Sequence, residues 1–330
     1  MQTRAWTFGF GLFVAGLGSG GLVLCGGCRK EPAAAPPVAE PVAPPAEPAP
    51  PLPPPAPEPP KTIRVADVGF ETPESVLYDE RFDHYLVSNI VGDPLGKDGA
   101  AFISLVTPEG AVKELKWIAG GAEGITLNAP KGMGLTEDTL YVADIDVVRM
   151  FDRATGQAKG QVKIKGATFL NDVVVHEGVV YVSDSGMKAG FKPSGSDAVW
   201  AITGTTAKVV RKNKSLKGPN GLAFHEGKLW VATFGAAELI PLVDGKPGTA
   251  VSLPSGQLDG LFVGRDGTFF VSSWAASAVY RGKPGEAFEV AVSDVASPAD
   301  IGYDGKRNRL LIPLFQKNAV ELHALAPEAP

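Results

Sequence analysis

From residue 61 onward, short apolar runs alternate with polar turns in a pattern that returns six times. Each copy has a polar anchor, a short apolar run, a turn and a strand of the Tyr-Val-Ser-Asp kind. The copies begin Pro73-Glu74-Ser75, Pro130-Lys131-Gly132, Leu170-Asn171-Asp172, Pro219-Asn220-Gly221, Leu258-Asp259-Gly260 and Pro298-Ala299-Asp300. Successive anchors lie 57, 40, 49, 39 and 41 residues apart. Repeats of this length, made of short strands, are typical of β-propeller blades.

Four strands, A to D, account for each repeat. In the second repeat, for example, Val147–Asp152 is predicted as strand C and residues 161–165 as strand D. The sixth repeat supplies A, B and C, with residues 320–325 as C, and then the chain ends. Residues 63–68 can supply the missing strand, which removes exposed sheet edges. The pattern therefore predicts an all-β, six-bladed propeller whose ring is closed by its N- and C-terminal strands, over residues 61–330.

The amino terminus has the pattern of an export signal. Arg4 is followed by twenty uncharged residues and then by Cys25-Gly26-Gly27-Cys28. Residues 1–28 therefore resemble a lipoprotein-type signal, with Cys28 as the lipidated residue because two small glycines precede it. Lipidation at Cys25 and an uncleaved membrane anchor are the alternatives, and each of them also exports the rest of the chain.

A proline-rich segment separates this signal from the repeats. Residues 31–60 contain 15 prolines in 30 positions, which excludes regular helix and sheet. We expect residues 29–60 to form a disordered tether that holds the propeller in the cell envelope, facing the periplasm or the exterior. The net charge of −5 and the lack of a basic stripe exclude a nucleic-acid partner. No cysteine follows residue 28, so thiol chemistry is excluded from the propeller.

The anchors converge if the repeats form a ring. Strand A lines the central tunnel of a propeller, so its first residues should meet at one tunnel mouth: Glu74, Lys131, Asn171, Asn220, Asp259 and Asp300. The long B-to-C loops, residues 89–101 and 185–198, are candidate lids on that face. A purely structural role is the alternative, because Asn-Gly and Asp-Gly are common turn formers. Variation of the anchor within a constant framework favours an asymmetric functional site.

Four of the anchors present oxygen acceptors. The carboxylates of Glu74 and Asp259 and the amides of Asn171 and Asn220 suit Ca²⁺, although another divalent cation would satisfy the same oxygens. Such a cation can act as a Lewis acid. Asp259 would then activate water or attack the substrate directly. Trp274, just past a B strand, can reach the tunnel mouth or pack in the core, and packing is the favoured interpretation.

This order of anchors resembles that of the senescence-marker-protein/gluconolactonase/regucalcin family, and more remotely paraoxonase and the squid-type phosphotriesterase. The resemblance is sharpest at residues 219–235, 258–274 and 299–315. It implies that Glu74, Asn171, Asn220 and Asp259 bind the metal, with Asp259 as general base. It also implies a monomer that hydrolyses a small-molecule lactone or ester. Glu74-Ser75-Val76 departs from the family's Glu-Gly-Pro.

Substrate binding is less closely matched to the family. No clear counterpart of the family's substrate-binding arginine is present, and Lys131 and Asp300 are the candidate substrate-binding residues. Propellers of the NHL type share the blade pattern and often only bind. A non-catalytic propeller that displays its loop face to an envelope partner is therefore the alternative function.

Overall fold

The computed structural model describes residues 62–122 and 124–325, and over them the chain is a six-bladed β-propeller. The predicted all-β architecture is confirmed. The predicted signal of residues 1–28 and tether of residues 29–60 lie outside the described residues. Within the described part of the chain, no helix is long and apolar enough to cross a membrane.

Blades 1, 2, 3 and 5 are antiparallel sheets of four strands in chain order, running from the tunnel outward, and in blade 4 two short strands share the outer position. In blades 1 to 3 the strands are Pro73–Asp79, His84–Asn89, Phe102–Val106 and Val112–Ala119; Pro130–Leu135, Thr139–Asp144, Val147–Asp152 and Ala158–Lys163; and Leu170–His176, Val179–Asp184, Ala198–Thr203 and Thr206–Lys212. In blades 4 and 5 they are Pro219–His225, Lys228–Thr233, Glu238–Val243 and the outer pair Lys246–Pro247 and Val251–Ser252; and Leu258–Val263, Phe269–Ser273, Ala278–Gly282 and Glu289–Val292. A small hairpin, Met187–Lys188 with Lys192–Pro193, projects from the B-to-C loop of blade 3.

Blade 6 closes the ring as predicted. Its strands Gly302–Asp304, Arg309–Leu314 and Ala319–Ala324 are completed by the N-terminal strand Thr62–Val65. Val65 lies opposite Val320, and Thr62 lies opposite His323. The closing strand ends before residue 68, where its end was predicted, because Asp67 and Gly69 adopt positive φ angles of 58° and 97° that turn the chain away.

The hydrophobic core lies between neighbouring blades. Six buried clusters fill the six gaps, one for each pair of adjacent sheets. The gap between blades 6 and 1, for example, contains Val65, Tyr85 and Leu322. Side chains alternate along each strand, so each sheet packs against a neighbour on both of its faces.

The A strands approach one another closely around the tunnel, and glycine makes this approach feasible. A Cβ atom on Gly260 would lie 2.2 Å from the backbone nitrogen of Ile301, and one on Gly221 would lie 2.4 Å from the carbonyl oxygen of Asp259. These contacts are with backbone, which has little freedom to move away. The glycines that follow the anchors therefore allow the ring to close tightly enough to bring the anchors together.

Candidate functional site

The anchors lie in β-bulges at the start of the A strands. In blade 1, Pro73 pairs with Asn89 and Ser75 pairs with Ser88, so Glu74 is the extra residue between two paired positions. Blades 2 to 5 show the same register shift directly after their first pair. A bulge interrupts the ladder and re-aims the unpaired side chain. The repeated local structure therefore turns the anchors out of the sheets.

Five anchors line one cavity of about 190 Å³ at the tunnel mouth. They form its polar floor: Glu74, Lys131, Asn171, Asn220 and Asp259. Each is at most 6% exposed. The predicted convergence of these five residues from blades 1 to 5 is therefore seen in the structure.

Asp300 was predicted to line the same tunnel mouth, but it is not among the residues that line this cavity. Pro298 pairs with Leu314, and Asp300 lies opposite Ser75 in a parallel bridge, so Ala299 is the true counterpart of Glu74. Asp300 accepts a hydrogen bond of 2.5 Å from Oγ of Ser75. It lines a second cavity, further along the tunnel, together with Asp172. The prediction that Asp300 is the anchor of blade 6 is therefore wrong by one residue.

Three oxygens of the polar floor are buried without a hydrogen-bond partner among the described residues. They are Oε2 of Glu74, Oδ1 of Asn220 and Oδ1 of Asp259. The other oxygen of Asp259, Oδ2, accepts a hydrogen bond of 2.8 Å from Nε1 of Trp274. Nδ2 of Asn171 donates to Oγ of Ser185 at 3.0 Å, so its amide oxygen remains available. A buried acceptor without a protein partner is unusual, and a bound cation or an ordered water would satisfy it.

Burial dominates the electrostatics of the floor. It raises the pKa of Glu74 well above its ordinary value, and the neighbouring carboxylates of Asp259 and Asp300 raise this pKa further. Burial also raises the pKa of Asp259 to about 7, against the hydrogen bond from Trp274, and the nearby carboxylate of Asp172 raises this pKa further. Carboxylates held together away from water favour protonation or a bound cation.

Lys131 is the cation of this floor. Burial lowers the pKa of its ammonium group to about 8, against the attraction of Glu74 and other acidic groups. Nζ donates hydrogen bonds of 3.0 Å to the carbonyl oxygens of Pro94 and Ala129. It also lies 4.5 Å from the ring centroid of Phe169. The ammonium group is therefore held rigidly, and one of its N–H donors is left over.

The B-to-C loops reach the cavity, as expected of lids. Pro94, Met187 and Phe191 come from the two long loops of blades 1 and 3 and line the cavity wall. Phe191 belongs to a 3₁₀ turn within the blade 3 hairpin, and its side chain contacts Phe169 with ring centroids 6.3 Å apart. Phe315, in the equivalent loop of blade 6, completes the wall on another side.

Trp274 lines the same cavity, so the alternative that it reaches the mouth is correct and the favoured interpretation of core packing was wrong. Its indole also packs against Phe234 and Phe315, with centroids 5.9 and 5.1 Å away. The signal was in the sequence: the residue directly after a B strand is Ile90, Phe234, Trp274 or Phe315 in four blades. An apolar residue at the end of a strand does not indicate whether it faces core or cavity.

Asp172 was also missed. Its Oδ2 accepts a hydrogen bond of 2.6 Å from the backbone nitrogen of Leu222, and its Oδ1 accepts one of 2.6 Å from that of Val173. The first bond links blade 3 to blade 4. Since the neighbouring anchor is Asn171, the sequence offered two polar residues side by side, and only the ring geometry separates their roles.

In the described part of the chain, no group of three or more Asp, Glu, His or Cys side chains is arranged to hold a metal ion. The candidate ligands are instead two carboxylates and two amides. Amide oxygens are ordinary ligands of Ca²⁺ but poor ligands of transition metals. The donor set therefore fits a hard cation.

No protein-family model matches the chain, and no curated protein matches it. Solved structures with the same fold are found. A gluconolactonase from Xanthomonas campestris is 18% identical, with a TM-score of 0.61 over 80% of this chain and 89% of that one. A catalytically inactive variant of virginiamycin B lyase from Staphylococcus aureus, bound to quinupristin, is 13% identical, with a TM-score of 0.54 over 81% and 99%.

A chain of the nidogen–laminin complex is 14% identical, with a TM-score of 0.54 over 67% of this chain and 79% of that one. At such identities the similarity establishes a common fold. The chain therefore has the six-bladed propeller fold that gluconolactonases share, as the resemblance in its sequence predicted.

Proposed function

We propose that this protein is a divalent-cation-dependent hydrolase of lactones or related esters. The observation that carries the proposal is the set of partnerless buried oxygens on Glu74, Asn220 and Asp259. Leaving a buried acceptor unpaired costs roughly 1–3 kcal/mol, and more for a charged group. A cation held between these oxygens would offset that cost.

The residues present fit Ca²⁺. Glu74 and Asp259 supply two negative charges, and Asn171 and Asn220 supply neutral oxygens, with water to complete the six to eight ligands that Ca²⁺ takes. A bound divalent cation would polarise the carbonyl oxygen of the substrate as a Lewis acid.

Asp259 is the general base of the proposed reaction. Oδ2 accepts the hydrogen bond from Trp274, so Oδ1 is the oxygen that would both contact the cation and, through its second lone pair, accept a proton. Oδ1 takes a proton from water as the water oxygen bonds to the carbonyl carbon. The bond from that carbon to the ring oxygen then breaks, and Asp259 returns the proton to this leaving oxygen. The product is an open hydroxy acid.

Lys131 positions the substrate in this proposal. Its Nζ is held by two backbone carbonyls, so its charge is fixed beside Glu74 at the cavity floor. A fixed ammonium group stabilises negative charge that develops on a substrate oxygen without reorganising during the reaction.

The decisive experiment is thermal unfolding of the full chain with Ca²⁺ and with chelator, combined with a lactone hydrolysis assay. Binding at a hundred times Kd should stabilise the fold by about 2.7 kcal/mol. Asp259→Asn should abolish the Ca²⁺ response and the turnover together. Asp266→Asn is the matched control, since Asp266 lies in the A-to-B turn of the same blade, outside the residues that line the mouth cavity.

An unfolding curve that does not respond to Ca²⁺, Mg²⁺ or Mn²⁺ would overturn the proposal. Equal Ca²⁺ responses in Asp259→Asn and the wild type would show that the cation binds elsewhere.

Hydrolysis is favoured over the chemistry of the lyase with the same fold. That lyase is inactivated by replacement of a histidine with alanine. Of the residues that the structure describes, no histidine lines the mouth cavity. A reaction at this mouth therefore depends on Asp259 and Lys131 as its titratable groups, together with Glu74.

Binding without catalysis is the second candidate, favoured by the exposure of Phe191, whose surface is 63% accessible at the rim of the mouth. A partner-binding propeller would show no cation response, and the partner would be recovered from envelope extracts with the wild type but not with Phe191→Asp. Phe82→Asp, at an exposed turn outside the mouth lining, is the control.

We also propose that the protein is tethered in the cell envelope through a lipid on Cys28. Support comes from the sequence alone, in the uncharged segment and the two glycines before Cys28. Cys28→Ser should release the chain from the membrane fraction, whereas Cys25→Ser should not. Release by Cys25→Ser alone would assign the lipid to Cys25.

A further inference from the structure

The wall of the mouth cavity is mainly apolar, whereas its floor is polar. Above the five polar anchors, the wall is formed mainly by Ile90, Phe169, Phe191, Phe234, Trp274 and Phe315. We call these six residues the apolar collar. They come from blades 1 and 3 to 6, so the collar surrounds the floor rather than covering one side of it.

The collar has a regular structural origin. Ile90, Phe234, Trp274 and Phe315 each follow the last residue of a B strand, at equivalent places in four blades. In blade 3 the equivalent residue is Ser185, whose hydroxyl accepts a hydrogen bond from Asn171 and donates one to Pro219. Blade 3 instead contributes Phe191 from its hairpin.

The collar is also rigid on one side. The rings of Phe234, Trp274 and Phe315 form a continuous series, with successive centroids 5.9 and 5.1 Å apart. Trp274 is held further by its hydrogen bond to Asp259. Edge and tilted aromatic contacts of this kind stabilise their arrangement by roughly 0.5–1.5 kcal/mol.

Phe191 is the exception, because protein packing leaves it largely uncovered. Its side chain is 63% accessible, and its backbone has a φ angle of 54° directly after Gly190 at 72°. The left-handed backbone at this residue turns its ring to the rim of the mouth, where a ligand below it would bury that ring.

A polyhydroxylated ligand is a poor match for this wall. Each hydroxyl moved out of water without a partner costs roughly 1–3 kcal/mol. Outside the floor, Gln316 is the side chain with spare polar atoms among the described residues that line the cavity. Apolar ligand surface, in contrast, gains about 25 cal/mol for each Å² that it buries.

The enclosed part of the cavity is small. Its volume of about 190 Å³ lies below the roughly 300–1,000 Å³ of common ligand pockets. The floor must hold the reacting carbonyl, so the enclosed space beside it admits one small apolar group next to the collar.

We infer that the site selects lactones whose ring is fused to an aromatic ring or carries a short alkyl group, over sugar lactones. Phe191 covers the apolar face of the bound substrate. This inference rests on the proposed lactonase function.

The test compares three δ-lactones with the full-length protein in Ca²⁺: the unsubstituted ring, the ring fused to benzene, and glucono-δ-lactone. The benzene-fused lactone should exceed glucono-δ-lactone in kcat/KM by about a hundredfold. Phe191→Ala should raise KM for the benzene-fused lactone about tenfold and raise KM for the unsubstituted ring by a clearly smaller factor, since that ring offers less apolar surface to the phenyl group. Phe82→Ala, the exposed aromatic outside the mouth lining, should change neither.

The outcomes separate the inference from the function on which it rests. Chelator-sensitive turnover with glucono-δ-lactone as the best substrate overturns the inference and leaves the hydrolase intact. An equal rise in KM for all three lactones in Phe191→Ala would also overturn the inference and leave the hydrolase intact. Absence of turnover for every lactone overturns both.

Discussion

The indole Nε1 of Trp274 donates a hydrogen bond of 2.8 Å to Oδ2 of Asp259 and thereby leaves Oδ1 as the free oxygen of a buried carboxylate. One side chain thus belongs to both parts of the site. Its ring is part of the apolar collar, and its N–H orients the proposed base on the polar floor. The relationship suggests that substrate shape and base orientation are coupled.

Trp274→Phe should lower both Ca²⁺ affinity and kcat/KM by about ten- to hundredfold, because a hydrogen bond to a charged group contributes roughly 1.5–3 kcal/mol. The variant keeps an aromatic ring in the collar. Calcium titration and lactone turnover provide the measurements.

Trp230→Phe is the matched control for this change. Trp230 is buried in the core, and its Nε1 has no partner among the described residues, so the substitution removes a ring without removing a hydrogen bond. Equal losses of Ca²⁺ affinity in the two variants would contradict an orienting role for Trp274.

Lys131→Met should raise Ca²⁺ affinity about tenfold, equivalent to about 1.4 kcal/mol, because the fixed positive charge beside Glu74 opposes cation binding. The same variant should lose lactone turnover, since it lacks the ammonium group that positions the substrate. Calorimetric titration and a hydrolysis assay test the two effects separately.

Lys97→Met controls for the change in net charge. Lys97 lies in the blade 1 B-to-C loop, and its side chain is 53% exposed, so solvent and salt screen its charge. Unchanged Ca²⁺ affinity in Lys131→Met would show that the cation does not bind near Lys131.

Gly260→Ala should destabilise the propeller by about 3 kcal/mol or more, at the upper end of overpacking effects. Its Cβ would lie 2.2 Å from the backbone nitrogen of Ile301, and the A strands of blades 5 and 6 would have to separate. Urea unfolding measures the difference. Gly256→Ala is the control, since its nearest contact is an ordinary 3.5 Å, and equal stability of the two variants would contradict close strand approach.

The ion pair between Asp79 and Arg153 should make stability depend on pH. Burial alone would raise the pKa of Asp79, but hydrogen bonds of 2.6 and 2.9 Å from Arg153, together with its charge, hold this pKa below its ordinary value. The stabilisation is therefore present above the unfolded pKa of about 3.9 and is lost as pH falls through the folded pKa. The wild type should lose stability in acid.

Arg153→Met should turn the stabilising contribution of Asp79 at neutral pH into a destabilising one. Asp79 would then be buried without its partner, with a destabilisation at pH 7 of roughly 3–5 kcal/mol. Burial would raise the pKa of Asp79 in the variant, so that Asp79 takes up a proton between pH 7 and pH 4. The difference in free energy of unfolding between the wild type and the variant should therefore become smaller over this range. Burial lowers the pKa of His84, which lies 3.9 Å from Asp79, and this histidine is present in both proteins.

Arg281→Met supplies the matched comparison on the surface. Arg281 and Glu289 are 51% and 65% exposed, and such pairs contribute at most about 1 kcal/mol. The free energy of unfolding of Arg281→Met should differ little from that of the wild type, and this difference should not depend on pH. A gap for Arg153→Met that widens in acid would contradict the assigned shift in the pKa of Asp79.

The number of blades, the closure of the ring and the convergence of Glu74 with Asp259 could all be read from the sequence. Each depends on a repeated local pattern, and the topology of a propeller then places equivalent positions at one tunnel mouth. The strand Val147–Asp152 was predicted with the bounds that the structure has, whereas the next strand, predicted at residues 161–165, spans Ala158–Lys163. Such strands are specified by turn residues and by alternating apolar and polar side chains, which are signals that lie within a few residues of one another in the chain.

Tertiary structure alone decided the rest. Asp300 and Ala299 differ by one position, and only the pairing of Asp300 with Ser75 from the far end of the chain shows which of them is the counterpart of Glu74. Trp274 is apolar and follows a strand, which suits core and cavity equally well. What the sequence by itself determined is the repeat and its anchors, because these arise from contacts between near neighbours. The direction in which each side chain points at the tunnel depends on contacts between blades, and no local sequence pattern specifies those contacts.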